Sequence, residues 1–160
     1  MSYESVRAYF EQAGLGDRLM LPEHSSATVE EAARAIGCEP RQIAKTLSFL
    51  ADGGAILVVV AGDARVDNRK YRETFGTKAR MIPADEVERF IGHAPGGVCP
   101  FAVRAGVRVW LDVSLRRFPI VYPAAGSDHS AVRLTPQELE RLSHATGWVD
   151  VCRGWQEVQE

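Results

Sequence analysis

The sequence predicts an α/β domain with a mixed, largely antiparallel, barrel-like sheet of six or seven strands, flanked by about five helices. Three observations support this fold class. Helical stripes that begin at capping residues alternate with short apolar runs of strand period, in no regular βαβ order. Of the 160 residues, 46% are hydrophobic and 25% are charged, which is ordinary for a globular domain. No repeat or linker divides the chain, so we expect residues 1–160 to form one domain.

Three helical segments are predicted within the first 44 residues. Residues 4–13 place their apolar side chains on one helical stripe, and Gly14 is available to end that helix. A second helix is expected to begin at the capping box of Thr28 and to end at Gly37. Residues 40–44 resemble one further helical turn.

A strand period then replaces the helical one. Residues 45–51 alternate between apolar and polar, and the turn 52–54 leads into the continuously apolar run 55–61, which predicts a central strand covered on both faces. The remaining elements are expected to be helices over 68–75 and 84–91, a shaped loop over 93–100, strands over 107–113, 118–122 and 131–134, a helix that begins at the capping box of Thr135, and a closing strand over 148–152.

Composition excludes several classes of protein. The chain has no apolar run of membrane-spanning length, and its polar N-terminus lacks the apolar core of a secretory signal. Three scattered cysteines fit a reducing compartment better than a disulfide framework. The net charge of −2 argues against coating nucleic acid, and no dinucleotide or P-loop motif occurs. We therefore expect a cytoplasmic protein without a membrane or DNA partner.

Lys45 is the most unusual residue of the predicted strand 45–51. It shares a strand face with Leu47 and Phe49, so it points inward if those two face the core. A buried ammonium needs a carboxylate, a lowered pKa or an anionic ligand. Alternatively, the side chain extends from the helix–strand junction to water.

The loop 96–100 is the second candidate. Its adjacent glycines allow successive backbone N–H groups to point into one cavity, which suits an anion or the oxyanion of acyl transfer. The alternative is a tight turn. His93 and Cys99 also permit a Cys–His nucleophile or, with Asp112, a metal site, although the spacing fits no familiar zinc pattern.

Two polar segments complete the candidates. The loop 125–130 carries His129, and either lines a pocket for a small substrate or is a surface turn. Residues 65–80 concentrate positive charge, and form either a solvated helix face or a patch that contacts phosphates. The cations of that segment are Arg65, Arg69, Lys70, Arg72, Lys78 and Arg80.

Five segments together resemble the YbaK/EbsC family of prolyl-tRNA-synthetase-associated editing domains. They follow one another in order along nearly the whole chain, and their combination is highly specific. The segments are ATVEEAARAIGCEPRQIAKTLSF (27–49), VVAGDARVDNRK (59–70), GHAPGGVCPF (92–101), LDVSL (111–115) and PAAGSDHSAVRLTPQEL (123–139).

This resemblance implies a trans-acting aminoacyl-tRNA deacylase. Such an enzyme hydrolyses the ester of mischarged tRNA, here tRNA for proline carrying a small wrong amino acid such as alanine, without a metal or another cofactor. Its partners are the acceptor end of tRNA and, as a further candidate, prolyl-tRNA synthetase. The resemblance assigns contact with the tRNA 3′ end to Lys45, and binding of the substrate carbonyl to Gly96, Gly97, Val98, Cys99 and Pro100. The substrate-binding residues are then expected to be Thr46, His93, Phe101, Gly126, Ser127, Asp128 and His129, and the tRNA-binding residues Arg69 and Lys70.

Two departures from the family pattern bear on specificity. Ala102 stands where many relatives have glycine, which either narrows the pocket or adjusts the backbone. The turn 127–129 differs from the Gly-Arg-rich version of other members, so 2-aminobutyrate, serine and threonine remain candidates beside alanine. A non-catalytic module that binds tRNA ends or a partner protein in the same pocket is the alternative to an enzyme.

Overall fold

The computed structural model describes residues 2–26 and 28–156. In this part of the chain five α-helices and nine strands form. The helices are α1 (Ser2–Gln12), α2 (Val29–Ile36), α3 (Asn68–Phe75), α4 (Ala84–Ile91) and α5 (Pro136–Leu142). The strands are β1 (Leu19–Met20), β2 (Ile43–Ala51), β3 (Gly54–Ala61), β4 (Arg65–Val66), β5 (Arg108–Asp112), β6 (Tyr122–Pro123), β7 (Ala131–Val132), β8 (Gly147–Val149) and β9 (Cys152–Arg153). Short 3-10 helices occupy Gly16–Arg18, Pro40–Gln42 and Val113–Arg117.

The central sheet has five strands in the order β6-β2-β3-β5-β8 and is curled into a half-barrel. The α/β class, the mixed, half-closed sheet and the five flanking helices are confirmed, whereas the sheet has five strands and not the six or seven expected. The expected dominance of antiparallel pairing is not found in this sheet, because only β2 and β3 pair antiparallel there, whereas β2–β6, β3–β5 and β5–β8 are parallel. Short antiparallel ladders, β1–β7 and β4–β9, lie outside it.

Strand β3 occupies the middle of the sheet, as its continuous apolar run predicted. Residues 55–61 are all buried, and the strand lies between β2 and β5. Its connection to β2 turns at Gly53, whose φ of 82° lies in the left-handed region that favours glycine. On the neighbouring strand β2, Phe49 packs against Tyr71 of α3 at a ring-centroid distance of 5.0 Å.

The helix ends follow the capping residues that the sequence shows. Thr28 and Thr135 accept hydrogen bonds from backbone N–H groups three residues later, each at 3.0 Å. Gly37 and Gly92 end their helices with left-handed φ values. These local signals therefore fixed the bounds of α2, α4 and α5.

The prediction of a strand over 118–122 is wrong for most of its length. The residues before it form a 3-10 helix, and only Tyr122 and Pro123 pair with β2. Pro119 cannot donate to a ladder, and Val121 forms only an isolated bridge to Leu134. The predicted closing strand is split into β8 and β9, which join different sheets.

A buried carboxylate connects the ends of these C-terminal strands. Asp112, at the end of β5, is 0% exposed. Its two oxygens accept hydrogen bonds from the backbone N–H groups of Ser114 and Val151, both at 2.9 Å. The Cys152 thiol is a third hydrogen-bonding neighbour, and burial raises the pKa of that thiol well above its usual range. Asp112 thus holds the residues after β5 and before β9 together, at the end of the sheet where β3 also ends.

No helix in residues 2–26 and 28–156 combines the length and the apolar character needed to span a membrane.

Candidate functional site

A cavity of about 350 Å³ lies beside the first half of β2. Its apolar wall is formed by α2, and its polar side by the loops around residues 96 and 128. The lining residues are Pro22, Ser26, Thr28, Val29, Ala32, Ile36, Ile43, Ala44, Lys45, Thr46, Leu47, Gly96, Val98, Tyr122, Ala124, Ser127, Asp128, His129, Ser130 and Ala131. We refer to this space as the β2 pocket. It brings Lys45, the loop 96–98 and the turn 127–130 to one place.

Lys45 is half-buried, and its ammonium is held by the backbone. Its Nζ atom donates a hydrogen bond of 2.8 Å to the carbonyl of Ala64. Burial lowers the pKa of Lys45 below the ordinary lysine value, and the nearby Cys152 and Asp63 oppose this effect only in part. The carbonyl leaves two of the three N–H bonds of the ammonium without a partner in the described residues. Lys45 is therefore positioned and able to bind an anion.

The turn that presents the Ala64 carbonyl is rigidly held. A Cβ atom at Gly62 would lie 2.0 Å from the Pro40 carbonyl oxygen, so only glycine allows this approach. Asp63 forms a bidentate ion pair with Arg117, with Nη1 and Oδ2 3.0 Å apart. The Arg117 guanidinium in turn lies over the ring of Trp155, 4.9 Å from its centroid. These contacts fix the group to which Lys45 is bound.

The loop 96–100 brings Gly96 and Val98, whose backbone N–H groups are unpaired in the described residues, to the β2 pocket. The N–H of Gly97 is unavailable, because it donates to the Ala94 carbonyl at 3.0 Å. Gly97 instead allows a close approach between loops, since a Cβ atom there would lie 2.6 Å from the Gly126 carbonyl oxygen. The N–H groups that can bind a ligand in the β2 pocket are thus those of Gly96 and Val98, and not the successive groups that the sequence predicted.

His93, Cys99 and Phe101 lie behind the β2 pocket rather than in its wall. All three are buried, and His93 Nε2 is 2.7 Å from the Phe101 carbonyl oxygen. The Cys99 sulfur is 3.5 Å from the same nitrogen. Burial lowers the pKa of His93 and raises the pKa of the Cys99 thiol to about 12. This geometry holds the ends of the loop together and gives a nucleophilic thiolate no support.

The metal alternative with Asp112 is not supported by the structure either. Asp112 is engaged by backbone N–H groups at the end of β5. In residues 2–26 and 28–156 no group of three or more His, Cys, Asp or Glu side chains is placed to hold a metal ion.

We expect Cys99→Ser to leave any hydrolytic activity within about threefold of the original, because the thiol is buried, protonated and outside the β2 pocket. The measurement is the initial rate of ester loss from aminoacyl-tRNA at saturating enzyme. Treatment with a thiol-alkylating reagent under native conditions provides a second readout, and it should also leave the rate unchanged. A decrease of a hundredfold or more in the rate of ester loss in Cys99→Ser would support a thiol nucleophile instead.

The turn 127–130 is held by its two serines. Ser130 Oγ accepts from the backbone N–H of Ser127 at 3.2 Å and from its hydroxyl at 2.8 Å. The half-exposed His129 ring is 3.2 Å from the Asp128 carboxylate. Behind the turn, Gly126 has a φ of 98°, and a Cβ atom there would meet the carbonyl of Ser2 in α1. Gly126 is thus a buried support, whereas residues 127–129 line the pocket.

Thr46 has unpaired polar groups beside the β2 pocket. Its hydroxyl oxygen is buried and has no hydrogen-bond partner in the described residues. The outer edge of β2 pairs with β6 only at residues 43–44, and with residues 80–82 only from Ser48 onward. Peptide groups of alternate strand residues point to the same edge, so the N–H and C=O of Thr46 point into the gap, as those of Ser48 and Leu50 point to residues 80–82.

Arg69 and Lys70 lie outside the β2 pocket, and Lys70 has structural partners. Its Nζ atom donates to the Cys152 carbonyl at 2.9 Å and to the Asp150 carboxylate at 3.1 Å. Arg69 forms an exposed ion pair with Glu73, four residues later. Lys70 therefore ties α3 to the C-terminal strands.

Ala102 does not narrow the β2 pocket, since it is exposed and does not line the cavity. Its φ of 53° lies in the left-handed region. The glycine that many relatives have here adopts this conformation freely, whereas the alanine is strained by about 1 kcal/mol.

Sequence reasoning missed the apolar wall of the β2 pocket and the segment before α2. Val29, Ala32 and Ile36 share one helical face, and this spacing alone could have indicated a wall. Ser26 donates its N–H to the Asp128 carbonyl at 2.7 Å, which connects that segment to the turn 127–130. This contact has no signal in the sequence, because the two residues are 102 positions apart.

Comparisons with known proteins identify the family of the chain. The family model of the aminoacyl-tRNA editing domain matches residues 23–142. The chain is 50% identical over 157 residues to YwhH of Bacillus subtilis, a protein described as uncharacterized. The match covers 98% of this chain and all of that one. It is 25% identical over 142 residues to the proline–tRNA ligase of Bacillus licheniformis, and spans 24% of the length of that enzyme.

Solved structures show the same fold. A crystal structure of a candidate trans-editing enzyme for prolyl-tRNA synthetase superimposes with a TM-score of 0.86 at 34% identity, covering 96% of this chain and 98% of that one. The hypothetical protein APE2540 superimposes with a TM-score of 0.82 at 31% identity, covering 93% and 99% of the two chains. The chain therefore belongs to the family of aminoacyl-tRNA editing domains, as the five matching segments of its sequence predicted.

Proposed function

We propose that the protein is a trans-acting aminoacyl-tRNA deacylase of the cytoplasm, which hydrolyses the ester of tRNA for proline that carries a small wrong amino acid. The observation that carries this proposal is the β2 pocket, which combines the tethered ammonium of Lys45 with the free N–H groups of Gly96 and Val98. Similarity to a candidate trans-editing enzyme over nearly its whole length, and to a proline–tRNA ligase, supports the choice of substrate.

In this proposal Lys45 binds the phosphate of the terminal adenosine. Two N–H bonds of its ammonium are free for that contact, and the pocket provides a half-buried setting in which charge-assisted hydrogen bonds are strong. The bond to the Ala64 carbonyl keeps the cation at the pocket rather than in solvent. Lys45 acts as a positioning and electrostatic group, not as a nucleophile.

The ester carbonyl is placed against the loop 96–98. As water attacks the carbonyl carbon, negative charge develops on its oxygen, and the N–H groups of Gly96 and Val98 stabilise that charge. The bond from the carbonyl carbon to the ribose oxygen then breaks, and a proton passes to the ribose oxygen to give free amino acid and tRNA. An aminoacyl ester is already activated, so orientation and oxyanion stabilisation supply most of the catalysis.

The amino acid occupies the space between Thr46 and the turn 127–130. Its ammonium needs an acceptor, and the Asp128 carboxylate lines this space. Alanine is the first candidate, because an editing pocket that selects by size removes the small amino acids that a synthetase cannot exclude. Prolyl-tRNA synthetase is a further partner, as the source of the mischarged tRNA.

The proposal is tested with tRNA for proline charged with alanine, 2-aminobutyrate, serine, threonine or proline. We expect rapid ester loss for at least one small amino acid and none for proline, measured from the remaining radiolabelled aminoacyl-tRNA over time. Heat-inactivated protein gives the spontaneous rate. Binding of tRNA without ester loss for any amino acid would replace the enzyme by the non-catalytic binding module.

A further inference from the structure

A second cavity of about 410 Å³ lies between α3 and the segment that follows it. Asn68, Arg69, Arg72, Glu73, Lys78 and Ala79 line it. Three cations thus face one carboxylate, in a chain whose net charge is −2. We refer to this space as the α3 cavity. It has the charge expected of an anion-binding surface, concentrated in one place.

The cations of the α3 cavity are available to a ligand. Arg72 and Lys78 are exposed, and their side chains make no ion pair or hydrogen bond with any described residue. Arg69 is paired only with Glu73, at 3.3 Å and with both side chains mostly in solvent, so this pair contributes little. By contrast, Lys70 on the same helix is occupied by Asp150 and the Cys152 carbonyl.

The α3 cavity lies further along the outer edge of β2 than the β2 pocket. Its segment 78–79 continues directly into residues 80–82, which pair with that edge through Leu50 N to Arg80 O at 2.8 Å and Ile82 N to Ser48 O at 3.1 Å. Because this pairing is antiparallel, residues 78–79 lie beyond Leu50, which is itself four residues after Thr46. At about 3.3 Å per strand residue the separation from Thr46 therefore exceeds roughly 13 Å. A nucleic-acid strand advances about 3.4 Å per stacked nucleotide, so this distance corresponds to about four nucleotides or more.

We propose that the α3 cavity binds backbone phosphates of the acceptor end of tRNA, about four nucleotides or more before the aminoacylated adenosine. The inference rests on the proposed function for the identity of the bound strand. Lys45 then binds the terminal phosphate, and Arg72 and Lys78 bind phosphates further along the same strand. The exposed Met81, with 60% of its surface in solvent, lies beside this path and offers an apolar surface to a base.

The test compares the double variant Arg72→Gln/Lys78→Gln with the control Arg104→Gln/Arg141→Gln, which removes the same charge from α5 and from the loop after Phe101. Binding of uncharged tRNA is measured by fluorescence anisotropy at several salt concentrations. We expect the α3-cavity variant to bind about tenfold more weakly, and the slope of log affinity against log salt to fall by about 1.4, or about 0.7 per lost phosphate contact. The control should retain both values. Equal thermal midpoints establish that neither variant is misfolded.

Two further substrates decide where the contacts lie. A minihelix that consists only of the acceptor stem and the 3′ end should show the same difference between the original protein and the α3-cavity variant as whole tRNA. Aminoacyl-adenosine, which has no further phosphates, should be hydrolysed equally by both proteins. Unchanged affinity and slope in the variant, equal binding of the minihelix by both proteins, or a loss of activity with aminoacyl-adenosine as large as with aminoacyl-tRNA would each overturn the inference. If no ester is hydrolysed but the binding differences hold, the proposed enzymatic function fails and the strand-binding role of the α3 cavity stands.

Discussion

Replacement of Lys45 by methionine is expected to lower the rate of ester hydrolysis by about 100-fold or more. This loss is typical when a preorganised group that stabilises charge is removed from a site shielded from water. Methionine keeps the apolar stem of the side chain and removes the cation, so the packing beside Leu47 is preserved. The measurement is kcat/KM with alanyl-tRNA for proline. Undiminished activity in Lys45→Met would exclude the role assigned to Lys45.

Stability provides the control for this variant. Burial lowers the pKa of Lys45, which means that the charged ammonium is less favourable in the folded protein than in the unfolded chain. Removal of the charge should therefore leave the free energy of unfolding equal or higher, and urea unfolding measures it. Low activity with undiminished stability separates the functional role of Lys45 from a structural one.

The pH dependence of Lys45→Arg tests the protonation state. If the cation is required, the activity of the original protein falls as pH rises through the lowered pKa of Lys45, before the ordinary lysine value is reached. Guanidinium stays protonated over this range, so Lys45→Arg should retain its own activity to higher pH. Spontaneous ester hydrolysis at each pH must be subtracted. An alkaline limb at the same pH in both proteins would show that another group titrates.

Replacement of Asp112 by alanine is expected to reduce the free energy of unfolding by about 3–5 kcal/mol. The change leaves the buried N–H groups of Ser114 and Val151 without their acceptors, and each lost partner of this kind costs about 1–3 kcal/mol. A cavity at a fully buried position adds to the loss. Urea unfolding at an unchanged m-value measures the effect.

Asp85→Ala is the matched control for Asp112. Asp85 lies exposed in the first turn of α4, where only an interaction with the helix dipole of about 0.3–1 kcal/mol is lost. A change of less than 1 kcal/mol in Asp112→Ala would contradict the role of Asp112 as the residue that fixes the C-terminal strands.

Local sequence signals predicted local structure well. The capping residues Thr28 and Thr135 and the terminal glycines Gly37 and Gly92 have their effect through neighbours three or four positions away, so the sequence itself contains the evidence. The alternation of residues 45–51 likewise determines which side chains share a face. The class of the fold followed from these elements.

Pairing between distant segments could not be predicted in the same way. Which edge of β2 meets β6, and that residues 80–82 join the same edge, depends on packing across many residues. The tether of Lys45 is another example, because its partner is a backbone carbonyl, and every residue has one. The residue types of the candidate site were therefore predictable, but their division into pocket wall and buried support was not.

The hydrogen bond from Lys45 to the Ala64 carbonyl has a consequence for the entropy of binding. A lysine side chain free in solvent has about 2 kcal/mol of rotamer entropy, which is lost when it is fixed against a ligand. Here the side chain is already ordered when the protein folds. A phosphate that reaches the pocket therefore meets a cation in one position, and an advantage of 2 kcal/mol corresponds to about 30-fold in affinity. The hydrogen bond to the Ala64 carbonyl is thus one reason why Lys45 can bind the terminal phosphate of a large RNA tightly.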